Sequence, residues 1–219
     1  EFLFISQCLG MLFAALFVIG FDSTIMTIIM HLIGQFRMIS LRFKVIGRKI
    51  RDGAKFDSKC KNKLWLEMES CIRHHQDILN LFQYVDELIN PITFGQLLLA
   101  GLEICLSGFA IIEGGNGGTD VVKFSFLLVS MIMQLMICCW PGELAIREST
   151  NIARVVFYEI PWSMLTCSEQ RNLALVVCRA QKQCQVTALG LQTMCLRKFC
   201  EVCNSALSYM ALLRRMKEK

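Results

Sequence analysis

The sequence predicts an all-α membrane protein, a helical bundle with four transmembrane helices and long cytoplasmic helical extensions. Three observations carry that reading. Hydrophobic residues make up 54% of the 219 residues and the mean hydropathy is +0.48, above the roughly 45–50% apolar content of soluble domains. The apolar residues gather into helix-length stretches. Most of the Lys and Arg residues gather between those stretches.

The first stretch, residues 2–21, is 20 uncharged residues, enough for one span. Asp22 interrupts it, and residues 23–30 extend the helix, so the first transmembrane unit is set at 1–33. An Asp at that depth is either an end residue reaching for headgroups or a functional group; its place near the inner boundary favours the structural role. Glu1 is not an initiator methionine, and no basic region or small-residue cleavage site precedes the apolar run. The chain is therefore expected to be a piece of a longer protein, entered at the mouth of a membrane helix.

Residues 34–91 form a polar connection carrying 11 Lys and Arg. A loop is expected at 55–63. Beyond it Leu64, Met68, Cys71, Ile72, His75, Ile78, Leu79, Phe82, Val85 and Leu88 recur at helical spacing, predicting a long helix that runs straight into the next span. Asn90-Pro91 marks the entry. The second span, 92–112, has one charge, Glu103. A short outer loop at 113–123 contains the glycine-rich turn 114–118. The third span, 124–140, has no charge, and Pro141-Gly142 closes it. Residues 141–190 are polar again but helical in pattern, with Ser168 and Glu169 as helix-start residues.

The last stretch, residues 191–213, reads as a helix about 34 Å long. Thr193, Arg197, Glu201, Asn204, Ser205 and Ser208 fall three or four apart, along one stripe. Arg197, Lys198 and Glu201 are too costly to leave in lipid. The stripe therefore faces either bundle neighbours or a water-filled pore.

Charge sets the orientation. The connections 34–91 and 141–190 lie on one side and carry 16 basic residues; the opposite side, including the tail 214–219, carries five. The basic side is expected to be cytoplasmic. No Asn-x-Ser/Thr sequon occurs, and the 12 cysteines follow no secreted disulfide pattern. His74, His75 and Asp77 cannot grip one ion from neighbouring helix positions, and read as ordinary helix surface. Cys138-Cys139, Cys200 and Cys203 read as packing residues, not zinc ligands. No nucleophile, triad or dinucleotide fingerprint is present, so no enzyme, cofactor, metal or nucleic-acid partner is expected.

Five stretches, in order, resemble the carboxyl-terminal half of insect odorant receptors. They are CIRHHQDILNLFQYVDELINPITFGQLLLAGLEICLSGFAI (71–111), CCWPGELAIREST (138–150), VFYEIPW (156–162), LALVVCRAQKQCQVTALG (173–190) and FCEVCNSALSYMALLRRMK (199–217). The resemblance implies transmembrane helices four to seven of a seven-helix odorant-gated channel subunit, with an extracellular carboxyl terminus. It also implies a non-selective cation channel, a hetero-tetramer with a co-receptor subunit, in the plasma membrane of olfactory neuron dendrites. Volatile odorants and the lipid bilayer are the other expected partners. Segment 141–190 becomes part of a cytoplasmic anchor, and the closing helix becomes the pore-lining helix. Ser208-Tyr209 fits the family's closing motif, whereas Arg214-Arg215 departs from its usually apolar end. Related gustatory receptors and a non-channel helix bundle are the alternative readings. A transporter should show a repeat or paired ionisable residues, and a co-receptor a longer insertion before the second span.

Site residues follow from the same comparison and from chemistry. Apolar and sulfur-bearing groups suit volatile ligands; Phe4, Gln7, Cys8 and Met11 of the first span and Phe126, Leu127 and Ser130 of the third are the expected pocket. Continued by fours from Ser208, the stripe reaches Leu212 and then Met216, so a polar face turns apolar. Those two positions, with Ser205 and Ser208 lining the approach, are the expected pore and gate. The topology is open to direct test: a tag inserted near Lys59 should bind antibody only after permeabilisation, and labelling of intact cells would reverse the orientation.

Overall fold

The computed structural model describes residues 1–53, 58–113 and 118–217. Three very long helices dominate: α1 (Phe2–Asp52), α2 (Ser58–Glu113) and α3 (Gly118–Glu159). A short 3₁₀ turn (Trp162–Met164) leads to α4 (Cys167–Gln181). A two-residue strand pair, β1 (Thr187–Ala188) and β2 (Gln192–Thr193), then precedes α5 (Leu196–Lys217). Among the described residues, three helices are long and apolar enough to cross a membrane: α1, α2 over Lys61–Ile111 and α3 over Thr119–Glu159. The fold is an all-α membrane bundle.

The polar connection expected at 34–91 is mostly helix. α1 does not stop near Gly34; it continues to Asp52, about 76 Å in all. The reason is a second apolar face at helical spacing: Ile29, Leu32, Ile33, Phe36, Ile39, Phe43 and Ile46 are buried. Phe36 packs on Phe82 of α2, ring centres 6.2 Å apart. Of the loop expected at 55–63, residues 58–63 begin α2, while 55–57 lie outside the described residues. Of the turn at 114–118 only Gly118 is described, as the first residue of α3.

The core thus sits beneath the apolar spans, among the basic stretches. Some of its polar groups are paired across helices. Arg37 on α1 meets the buried Glu148 of α3 at 3.0 Å. His74 Nε2 lies 3.1 Å from Gln35 Oε1. His75 is not surface, contrary to the sequence expectation: it is buried, and its Nε2 has no partner. Burial, helped by Arg179 and His74, pulls its pKa down to about 4, so it is neutral at pH 7.

Pro91 and Pro141 do not end their helices. α2 runs through Pro91 and α3 through Pro141. Pro91 is on an exposed face, where the carbonyl it leaves free can be solvated. Pro141-Gly142 has a different task from the one its sequence suggested. A Cβ at Gly142 would overlap the Met194 carbonyl, so the glycine admits the chain just ahead of α5 against α3.

α4 starts on a capping box: Thr166 Oγ1 accepts from the Glu169 N–H, and the Thr166 N–H donates to Glu169 Oε2 at 2.7 Å. The helix expected from residue 191 begins at Leu196 instead. Leu189 and Gly190 both have positive φ, 51° and 65°, which turns the chain into a hairpin with Thr187 opposite Thr193. The Met194 N–H closes it by donating to the Val186 carbonyl at 2.8 Å. Thr193 therefore leaves the stripe assigned to the closing helix. Gly142→Ala should lower the stability of the detergent-solubilised protein by about 1–3 kcal/mol through overpacking, read as a fall in thermal midpoint; an unchanged midpoint would show that the contact is dispensable.

Candidate functional site

α5 is fixed at its base. Its first N–H, at Leu196, donates to Glu143 Oε2 of α3 at 3.4 Å. The hairpin ahead of it is held by α2: Asp86 accepts from both the N–H and the hydroxyl of Thr187, at 2.6 and 2.8 Å. Asn90 Oδ1 accepts from the Gly190 N–H at 3.2 Å. Burial raises the Asp86 pKa, and the two Thr187 bonds oppose that rise. Higher up, Ala206 is buried and Phe199, Val202, Cys203 and Met210 are half-buried. Gly108 of α2 faces this contact: a Cβ there would stand 2.6 Å from Met210 Sδ, and the methionine side chain would have to shift.

The opposite face of α5 is the polar stripe. Arg197, Glu201, Asn204, Ser205 and Ser208 are all exposed. Their bonds stay on their own helix: Arg197 to Glu201 at 3.4 Å, and the Ser208 hydroxyl to the Asn204 carbonyl at 2.9 Å. Within this chain the stripe does not hold the bundle together. Leu212 continues it and is 53% exposed. For Met216 the helical backbone alone is described.

The seven expected pocket residues lie towards the amino-terminal ends of α1 and α3 and are exposed. Phe4 is 70%, Met11 75% and Phe126 78% exposed; Gln7, Cys8 and Leu127 are also open. Ser130 donates its hydroxyl to the Leu127 carbonyl at 2.7 Å. None of them lines the cavities between α1, α2 and α3.

Those cavities flank a feature that sequence reasoning missed. Asp22 of α1 accepts from Gln96 Nε2 of α2 at 2.6 Å and from Gln134 Nε2 of α3 at 2.9 Å. One carboxylate thus ties three helices. Above it is a cavity of about 230 Å³ walled by Val18, Leu97, Ala100, Met131, Leu135 and Met194, with Gln96, Glu103 and Gln134 as polar lining. The available signal was two glutamines inside otherwise apolar spans, which a count of charges alone overlooks.

A family model described as 7tm Odorant receptor matches residues 1–207. The chain belongs to the insect odorant receptor family. Odorant receptor 10 of Aedes albopictus is 30% identical over 153 residues, 69% of this chain and 40% of that protein. Odorant receptor 13a of Drosophila melanogaster is 28% identical over 160 residues, 67% of this chain and 38% of the relative. Odorant receptor 45a of Drosophila melanogaster is 25% identical over 206 residues, 94% of this chain and 50% of the relative. Among solved structures, the olfactory receptor OR5 of Machilis hrabei in complex with eugenol superposes with a TM-score of 0.81. It is 12% identical and matched over 97% of this chain and 52% of its own. The chain spans about half the length of these odorant receptors or less.

The crossing generates a measurable expectation for this receptor. Asp22→Ala leaves two amide groups without their acceptor, and each such group costs about 1–3 kcal/mol. Thermal unfolding in detergent should show a clear loss, smaller for Asp22→Asn, which keeps one acceptor oxygen. Equal stability of all three proteins would remove the crossing as a structural tie.

Proposed function

We propose that the chain is the channel-forming part of an odorant-binding subunit, in a heteromeric, odorant-gated, non-selective cation channel assembled with a co-receptor. The observation that carries the reading is α5. Its polar groups bond along their own helix and remain exposed, while its opposite face packs on α2. A helix with that division inside a membrane bundle suits a water-filled pore, and the change from Ser208 to Leu212 suits a constriction that closes by dewetting. In this reading α1, α2, α3 and α5 carry transmembrane helices four to seven, and the basic inner ends and α4 form a cytoplasmic anchor. The assembly sits in the plasma membrane of sensory dendrites.

Phe4, Gln7, Cys8 and Met11, with Phe126, Leu127 and Ser130, contribute to the odorant pocket. Their exposure in this chain suits residues covered by further helices, and eugenol in OR5 is a ligand of the small, largely apolar class they fit.

The test is expression of the full-length receptor with a co-receptor, recording currents evoked by a broad odorant panel. Alanine at the seven positions should reorder odorant potency. Leu212→Ser should raise leak current or alter ion selectivity by hydrating the constriction. Surface-expressed receptor that gives no odorant-evoked current, or a Leu212→Ser channel with unchanged leak, selectivity and block, would overturn the respective assignment.

A further inference from the structure

The cavity above Asp22 has an unusual polar inventory. Asp22 is an acceptor, so the two glutamines must turn their NH₂ groups towards it, as the 2.6 and 2.9 Å distances record. That orientation leaves both amide oxygens free, and neither receives a hydrogen bond among the described residues. Glu103 adds a carboxylate. It is the one charge in residues 92–112, it is half-buried, and among the described residues its carboxylate has neither ion pair nor hydrogen bond. An ionisable group at that depth carries a desolvation cost unless something pairs with it. Gln96, Ala100 and Glu103 share one face of α2, and side chains on a helix lean towards its amino terminus, so Glu103 leans over the small Ala100 towards Gln96. The cavity thus presents a carboxylate and two amide oxygens that receive no hydrogen bond among the described residues, beside the second N–H of each glutamine and the Cys138 thiol, and the rest of its wall is hydrocarbon and thioether.

We propose that this cavity binds a primary aliphatic amine in its protonated form. An ammonium group brings three donors and one positive charge to the unpaired Glu103 carboxylate and the two free amide oxygens, and the alkyl chain lies against Val18, Leu97, Met131 and Leu135. The cavity of about 230 Å³ is partly open to its surroundings and has room for a short alkylamine. Alcohols bring one donor and no charge. Esters, aldehydes and ethers bring no charge and no donor for the Glu103 carboxylate. Carboxylates are repelled. The site is separate from the pocket on the outer ends of α1 and α3. It rests on the chain being a ligand-binding receptor, and it names a ligand class for that receptor.

The probes are n-hexylamine, 1-hexanol and hexyl acetate at pH 7, applied to the full-length receptor with its co-receptor, with currents recorded. In parallel, the thermal midpoint of the purified receptor is measured with each probe. The amine should act, as agonist or as blocker of other odorants, at a concentration at least tenfold below the alcohol, and should raise the midpoint most. Glu103→Gln should weaken the amine at least tenfold more than the alcohol, and Glu103→Asp should restore part of the difference. If amine and alcohol are equivalent on the wild-type receptor, or if Glu103→Gln shifts both alike, the site is not an amine site. The wild-type comparison decides the matter even if a variant fails to reach the surface. Odorant currents with an inert amine would sink this site and leave the channel reading intact; amine-dependent stabilisation without current from any odorant would do the reverse.

Discussion

Every backbone N–H and C=O that enters hydrocarbon has to be bonded inside its own segment, because lipid offers no partner. That constraint shapes the whole chain. It explains why α1, α2 and α3 are single rods of 51, 56 and 42 residues. It also explains why turns, strand pair and caps lie at the ends of the apolar spans or beyond them, not inside them. Prolines that would end a helix in water are carried through, since breaking the rod would expose more than one unpaired carbonyl. Each rod joins the apolar span to the layer below it, with Pro91 and Pro141 interrupting the hydrogen-bond ladder of α2 and α3.

The two halves of the bundle use different forces. Below the spans, water is present and the hydrophobic effect packs a closed core around Phe36, Phe43, Met68, Ile152 and Leu173. Ion pairs such as Arg37–Glu148 and Lys49–Glu67 edge that core. Within the spans the surrounding lipid is as apolar as the side chains, so burial drives little and polar bonds and close backbone contact matter more. The Asp22 crossing and the glycine notch at Gly108 are of that kind. The outer part of α1, from Phe2 to Ile19, is the most apolar segment of the chain and is almost wholly exposed.

Between these halves lies the joint that sets α5. The hairpin is held on one side by Asp86 and Asn90 of α2 and on the other by Gly142 and Glu143 of α3. The helix with the polar stripe therefore starts from a point defined by two other helices.

The sequence by itself determined the class of protein, the three strongly apolar helices, the long helix before Pro91 and the stripe on the last helix. It did so because those features depend on local composition and a period near 3.6. The five matched stretches also carried the family. Other features were decided in three dimensions. Gly34 to Asp52 looks polar by content, and its buried face emerges only when α2 and α3 supply the surface it packs against. The helix start at Leu196 depends on positive φ at Leu189 and Gly190, held by partners about a hundred residues away. Pro141-Gly142 reads as an end in sequence and is a contact in space. Asp22, Gln96 and Gln134 lie 74 and 112 residues from one another's bonds, so no local pattern could have joined them. Local periodicity specifies which face of a helix is apolar; which neighbour meets that face, and which polar groups meet with it, is settled when the helices pack.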